Sequence, residues 1–212
     1  MLNIKAIQEA HSQFLKTNTK TNTGIREEKK MVRPNFQLWS GVLPDKWCDD
    51  IIEETEENYS VQKASTFTGD EDNHRRSKVR WISSDMYMRD TLFNFVIMAA
   101  KEFNIQVFRQ ADIQYTEYHS SEKGHYNWHH DIDWNRNDNF DRKISVTLQL
   151  TDPSEYEGGE FSFLETQNPV SEQMKARGSI LCFPSYLQHQ VSPVTKGVRK
   201  SVVAWFEGPT WR

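Results

Sequence analysis

Apolar positions in this chain recur at two periods, one near 3.6 residues and one near 2, and each marks a set of elements. From Met88 to Phe103 the residues Leu92, Phe95, Ile97, Met98 and Ala99 form an apolar side of a predicted helix, a stripe that reads as core. Asp45 opens a second predicted helix running to about Tyr59, with Asp49, Asp50, Glu53, Glu54, Glu56 and Glu57 as its solvated face. Strand-like runs cover Phe36–Val42, Val61–Thr68 and Val79–Ile82, and three more close the chain. Gly178–Pro184 ends at its proline, Gln188–Val194 follows, and Val198–Phe206 comes last. Between the last two, Thr195-Lys196-Gly197 is a hairpin turn signal. The mixture predicts an α+β domain.

Organisation divides at about Pro34. Residues 1–33 read as an N-terminal helix and a flexible arm: apolar residues at loosely helical spacing over 2–16, then a polar stretch holding the connector Thr17-Asn18-Thr19-Lys20-Thr21-Asn22-Thr23. Residues 34–212 read as one domain, long enough for a sizeable core. The net charge of −4 and the pI near 6.0 leave no footprint for nucleic acid. With no apolar run long enough to span a bilayer and no secretory leader pattern, no membrane association is expected. Cys48 and Cys182 fall in a helix and a buried strand and read as reduced, which places the chain in the cytoplasm.

The chemistry enters with Tyr126-Asn127-Trp128-His129-His130-Asp131 and with His189, 58 residues after Asp131. Side chains at i and i+2 of a strand point the same way, so His129 and Asp131 can share one ion while His130 faces away. His125 and Asp133 have the same parity, but four extended residues span roughly 13 Å. Asp131 with Asp133 is the weaker alternative pair. Two imidazoles and one carboxylate leave the opposite positions of a metal open, the arrangement used by non-haem iron(II) oxygenases. Arg199, ten residues after His189, has a planar fork suited to a carboxylate, and Ser201 adds a hydroxyl on the same side. A hairpin centred near Thr195 would turn both toward His189. A buried arginine needs an anion; the alternative is a solvated charge like Lys196 and Lys200.

Together these residues resemble the 2-oxoglutarate- and iron(II)-dependent dioxygenases, in particular the prolyl 4-hydroxylase-like branch, over Tyr115 to Pro209. Tyr118, Gly124 and Tyr126 before His129-x-Asp131, the strand Arg142–Leu150, the Glu157-Gly158-Gly159-Glu160-Phe161 turn, Gly178–Phe183, His189 with Val191, Gly197-Val198-Arg199 and Trp205 carry the likeness. It implies a distorted double-stranded β-helix (a jelly roll) buttressed by the N-terminal helices. It implies iron(II) held by His129, Asp131 and His189, and 2-oxoglutarate held by Arg199, Ser201 and Tyr118, with ascorbate as a possible reductant. Trp205, Arg76 and Tyr126 become candidate substrate-pocket residues. The implied reaction converts 2-oxoglutarate to succinate and carbon dioxide while hydroxylating a C–H bond, foremost of a prolyl residue in a peptide or protein. The carboxylate ligand favours hydroxylation over halogenation. Arginine at 199 departs from the lysine of many procollagen-type relatives.

Other readings stay open at this point: a hydroxylase of a small molecule or free amino acid, a jelly-roll metal- or sugar-binding module without turnover, and a zinc hydrolase on a His₂-carboxylate site. The charged stretch Gly69–Lys78 reads as a lid or as a plain exposed hairpin. Trp134–Asp141 belongs at the rim of the site, and Trp128, facing away, reads as core.

Overall fold

The computed structural model of the chain describes residues 34–64, 74–135 and 139–211. The helix and arm expected over 1–33 lie outside the described residues, as do residues 69–73 of the expected 69–78 loop, whose second half carries the strand residues Arg75, Arg76 and Lys78. A seven-stranded antiparallel sheet takes in β1 (Gln37–Trp39), β2 (Gln62–Lys63), β4 (Lys78–Trp81), β5 (Ala111–His119), β7 (Phe140–Gln149), β10 (Ile180–Pro184) and β13 (Val198–Pro209). Its order is β1-β10-β7-β13-β5-β4-β2. A second sheet joins β3 (Arg75–Arg76), β6 (His125–His129), β11 (His189–Val191) and β9 (Phe161–Phe163) in the order β3-β6-β11-β9, while β8 (Glu157–Gly158) pairs with β12 (Val194–Lys196). The chain passes repeatedly from one sheet to the other, which makes a distorted jelly roll.

Among the described residues two helices precede the central strands: α1 (Asp45–Asn58) and α2 (Met86–Phe103). A short α3 (Ser171–Lys175) leads into β10. The Asp85 carboxylate caps α2 by accepting from the Met88 amide at 2.9 Å, and Asn104 ends it in the left-handed region at φ 55°. This helix lies against β10 and β7. Its buried side is Met88, Leu92, Phe95, Val96 and Ala99. Ile97, expected on that side, is 49% exposed. Two residues past Phe95 amount to roughly 200° of helical turn, so the stripe through Leu92, Phe95 and Ala99 selects Val96 instead.

The acidic face of α1 is exposed as expected, and its Glu56 is also paired. Glu56 is exposed yet engaged: its Oε1 accepts from the Tyr115 hydroxyl at 2.6 Å and from Lys200 Nζ at 2.7 Å. Burial works to raise the Glu56 pKa, but the Lys200 and Tyr115 hydrogen bonds outweigh it and hold the carboxyl below its ordinary value. This contact ties α1 to β5 and β13. Tyr115→Phe is expected to cost about 1.5 kcal/mol, the low end for a hydrogen bond to a charged group because Glu56 is partly exposed. The check is a shifted urea midpoint at unchanged slope. Because the folded-state pKa is depressed, the contribution is present above the unfolded value and lost as pH falls through the folded one. The gap between wild type and variant therefore narrows as pH falls below the ordinary carboxyl value of 4.5.

The expected hairpin between 188–194 and 198–206 does not form. β11 pairs with β6 and β9 in the smaller sheet, whereas β13 pairs with β5 and β7 at the centre of the larger one. Pro193 has no amide to continue β11, and β12 leaves to pair with β8 before Gly197 turns at φ 67°. His189 and Arg199 face each other because their sheets do.

Candidate active site

A cavity between the two sheets takes Tyr118 from β5, Ser145 and Thr147 from β7, and Arg199, Ser201 and Trp205 from β13. From the smaller sheet come Arg75, Tyr126, His129, Phe161 and His189, with Asp131 just beyond β6. β6 ends at His129, so Asp131 is not on the strand, as its spacing suggests, but on the bend that follows. There its amide donates to the Ser185 carbonyl at 3.0 Å. The turn after β10 thus holds Asp131 in place.

His129, Asp131 and His189 offer one ligand atom each, all within 4.8 Å of one another, and they are the one cluster of this kind among the described residues. His129 Nε2 stands 3.7 Å from Asp131 Oδ1, and His189 Nε2 stands 3.6 Å from Asp131 Oδ2. Both imidazoles are turned by their own backbone. His129 Nδ1 donates to the Asn127 carbonyl at 2.7 Å and His189 Nδ1 to the Leu187 carbonyl at 3.0 Å. A carbonyl only accepts, so the proton sits on Nδ1 and each Nε2 presents its lone pair to the centre. Burial first, and His189 second, hold the His129 pKa well below the ordinary value, which keeps it neutral.

Burial pushes the Asp131 carboxyl up, but His189, His129, the Ser145 hydrogen bond and Arg142 together hold it below the usual range. Three groups able to offer lone pairs therefore converge at separations beyond a hydrogen bond. That arrangement fits a cation at the centre. The rings are also locked sideways. Tyr126 stacks on His129 at 3.4 Å between centroids, and Phe161 and Phe183 flank His189 at 5.5 and 4.7 Å.

Ser145 is a residue that sequence reasoning missed. Its Oγ donates to Asp131 Oδ2 at 2.6 Å and lies 2.9 Å from Ser185 Oγ. A serine at an inward position of a central apolar strand is the only signal it left. Arg142 is a second omission: its guanidinium lies 4.2 Å over the Trp205 ring and pairs with Asp112 at 3.2 Å.

Arg199 is 2% exposed and lies across the cavity. Its Nη1 reaches Ser201 Oγ at 3.4 Å, its guanidinium lies 5.6 Å from the Tyr118 ring, and it has no ion-pair partner among the described residues. The register puts Arg199 opposite Tyr118 and Ser201 opposite Thr116 and Gln149. The double glycine sets the space behind this arginine. Gly159 has φ 61°, and a Cβ there would meet Arg199 Cδ at 2.9 Å; a Cβ on Gly158 would meet the Pro193 carbonyl at 2.2 Å. A side chain at 158 would meet backbone, and one at 159 would have to displace Arg199, both at positive φ.

The remaining sequence candidates separate. Trp205 and Tyr126 line the cavity. Tyr126 does so because β6 carries a bulge: His189 pairs with His129 but Val191 pairs with Tyr126. The extra residue puts Tyr126 and His129 on one face although they are three apart. Arg76 lines no part of this cavity; it borders a surface groove with Lys78 and Glu122, and its predecessor Arg75 faces the cavity instead. Asp133 is spent locally, accepting from the Asn135 amide at 3.0 Å. His125 lies outside the ligand cluster. Trp128 is not core but 36% exposed, on the outer face of the smaller sheet. Trp134 is exposed beside His130, and residues 136–138 of the expected rim lie outside the described residues.

Residues 113–207 match the family model described as the 2OG-Fe(II) oxygenase superfamily. A PKHD-type hydroxylase of Synechococcus sp. (strain CC9902) is 39% identical over 82 residues, 39% of this chain and 36% of that protein. One of Pseudoalteromonas atlantica is 42% identical over 64 residues, 30% of this chain and 28% of that protein. The matched stretch is thus well under half the length of those relatives. A prolyl-4-hydroxylase from Pseudomonas putida superposes with a TM-score of 0.63 at 16% identity, over 82% of this chain and 93% of that one. A Trichoplax adhaerens prolyl hydroxylase, solved with a hypoxia inducible factor peptide fragment, gives 0.56 at 16% identity over 81% and 83%. Residues 113–207 thus resemble the 2OG-Fe(II) oxygenase superfamily, and the fold of the chain is that of the prolyl 4-hydroxylases.

Proposed function

We propose that this chain is a 2-oxoglutarate-dependent dioxygenase that hydroxylates a C–H bond, with a prolyl residue of a peptide or protein as its substrate. The observation that carries the reading is the buried His129, Asp131, His189 cluster facing Arg199 across one cavity, a cation site and an anion site in one pocket. Iron(II) bound there supplies the oxidising chemistry, by which dioxygen converts 2-oxoglutarate to succinate and carbon dioxide and hydroxylates the substrate. The protein's part is positional. His129 and His189 present Nε2 and Asp131 its carboxylate, while Arg199 and Ser201 receive the distal carboxylate of 2-oxoglutarate beside Tyr118. Phe161, Phe183, Val191 and Val203 form an apolar wall that keeps water from the reacting groups. Tyr126, Trp205 and Arg142 border the outer opening, where a substrate residue would approach the metal side.

The prolyl assignment draws on the neighbours, one of which holds a peptide. Cys48 and Cys182 are free and buried, which supports a reducing, cytoplasmic setting, and no described helix is long and apolar enough to cross a membrane.

The test is succinate release from 2-oxoglutarate by protein reconstituted anaerobically with iron(II), with and without ascorbate, on admitting oxygen. Proline-containing peptides, free amino acids and other small molecules are supplied in turn. Iron-dependent succinate that rises with a prolyl peptide is the expected result. A rise with a free amino acid moves the substrate to the small-molecule class. No succinate with metal still bound by these three residues reduces the domain to a binding module.

A further inference from the structure

A second, outer chamber of about 210 Å³ shares Arg75, Tyr126 and Trp205 with the cavity and is also bordered by Trp81, Gln114 and Arg142. This is smaller than the roughly 300–1,000 Å³ of pockets for drug-sized ligands, and suits a single residue or a small acid. Among the described residues lining the chamber Asp131 is the sole carboxylate, and it belongs to the ligand cluster. Arg142 has its counter-ion in Asp112. Arg75 has none. It is 6% exposed, it lines both the inner cavity and the chamber, and its guanidinium lies 4.6 Å over the ring of Tyr126, which in turn stacks on His129.

The described groups that hold Arg75 in place are all neutral. Nε donates to Ser77 Oγ at 2.8 Å and Nη2 to Gln114 Oε1 at 2.7 Å. The same Gln114 oxygen accepts from Thr116 Oγ1 at 3.2 Å, which fixes the amide's orientation. A buried arginine is ordinarily balanced by a carboxylate. Here an amide stands where glutamate would fit atom for atom, so the charge is oriented without being neutralised.

We propose that Arg75 is a substrate-specificity residue: the substrate carries a carboxylate that pairs with Arg75 in the outer chamber, next to the carbon to be oxidised. This rests on the oxygenase reading for the reaction, though not for the binding itself. The carboxylate can belong to a free acid whose oxidised carbon lies in the same small molecule, or to an acidic side chain beside the target residue of a peptide. Both offer the same two oxygens to the guanidinium.

The test uses the full chain loaded anaerobically with iron(II) and 2-oxoglutarate, and reads binding by calorimetry. Two matched pairs of probes separate the sources: N-acetyl-L-proline against its amide, and the blocked dipeptide Pro-Glu against Pro-Gln. Wild type is expected to favour the acid at least about tenfold in one pair, the worth of one charge-assisted hydrogen bond. Arg75→Gln is expected to erase that preference. Gln114→Glu is the decisive second variant, because it supplies the counter-ion internally at unchanged shape. It should keep or raise the melting temperature and still erase the preference. A purely structural Arg75 would gain stability from Gln114→Glu and leave the ratio unmoved, which overturns the proposal. So does a preference that survives Arg75→Gln but is lost in Arg199→Gln, since the acid then sits in the inner cavity. Absence of any acid preference, or of any binding of the acid probes, overturns it equally. Failure of the oxygenase reading is separate, appearing as no succinate whatever the acid ratio.

Discussion

Asp131→Ala is expected to abolish iron-dependent succinate release and to weaken metal binding by more than the roughly 10–100-fold that loss of an outer partner costs. The reason is electrostatic. His129 and His189 bring neutral nitrogens, so Asp131 supplies the only negative charge among the three ligand groups. It sits between them, with one oxygen toward each imidazole at 3.7 and 3.6 Å. Removing it leaves two imidazoles whose lone pairs face each other across an emptied, buried space. Ser145→Ala provides the graded arm. It removes the 2.6 Å hydrogen bond that orients Asp131 Oδ2 without removing a ligand, so a loss of about 10–100-fold in metal affinity is expected there. Metal titration with a spectroscopic cobalt(II) probe separates the two. Full activity in Asp131→Ala would remove the ligand assignment.

Arg199→Met is expected to raise the 2-oxoglutarate requirement by about 30-fold or more while metal binding stays close to wild type. The scale is that of truncating one partner of a buried charge pair, about 2–5 kcal/mol. The apo protein should be unharmed or more stable, because the substitution takes a cation out of a site with no ion-pair partner among the described residues. Two readouts therefore move in opposite senses. Melting temperature without 2-oxoglutarate holds or rises, and the upward shift that 2-oxoglutarate gives the wild type is lost. Arg199→Lys should recover only part of the affinity, since an ammonium cannot replace the planar fork. If neither the requirement nor the thermal shift changes, the cosubstrate carboxylate is held elsewhere.

The likeness of these residues to a known family was legible because ligand chemistry restricts residue type. Few side chains bind iron(II), and few bind a carboxylate in an apolar pocket, so His129, Asp131, His189 and Arg199 stand out at their spacing. Helices were legible for a similar reason. The stripe through Leu92, Phe95 and Ala99 needs no partner to be recognised, although assigning Ile97 to it required ignoring the angle. Gly158 and Gly159 were visible as a turn, but the obstruction they avoid, the Pro193 carbonyl and Arg199 Cδ, was not.

What stayed hidden depends on pairing between distant strands. A hairpin signal at Thr195-Lys196-Gly197 is local, and the competing pairings of β11 with β6 and of β13 with β7 join residues tens of positions apart. The bulge between Tyr126 and His129 likewise exists only relative to β11. Arg75 and Arg76 are adjacent arginines on a two-residue strand, so composition cannot tell them apart; the pairing of Arg75 with Tyr126 decides which one faces the cavity. Ser145 looks like any polar residue in a strand until Asp131 is brought to it.

The sequence by itself determined the kinds of chemistry available: two neutral nitrogen ligands, a carboxylate, and a permanent cation with a hydroxyl two residues on. It also determined which segments turn as helices or extend as strands, because those periods are set by backbone geometry over a few residues. Only the tertiary structure decided which arginines lose their water, which serine holds the ligand carboxylate, and that Arg199 confronts the ligand cluster from the opposite sheet. Burial and the approach of charges depend on what covers each residue, and the covering groups come from strands far away in the chain.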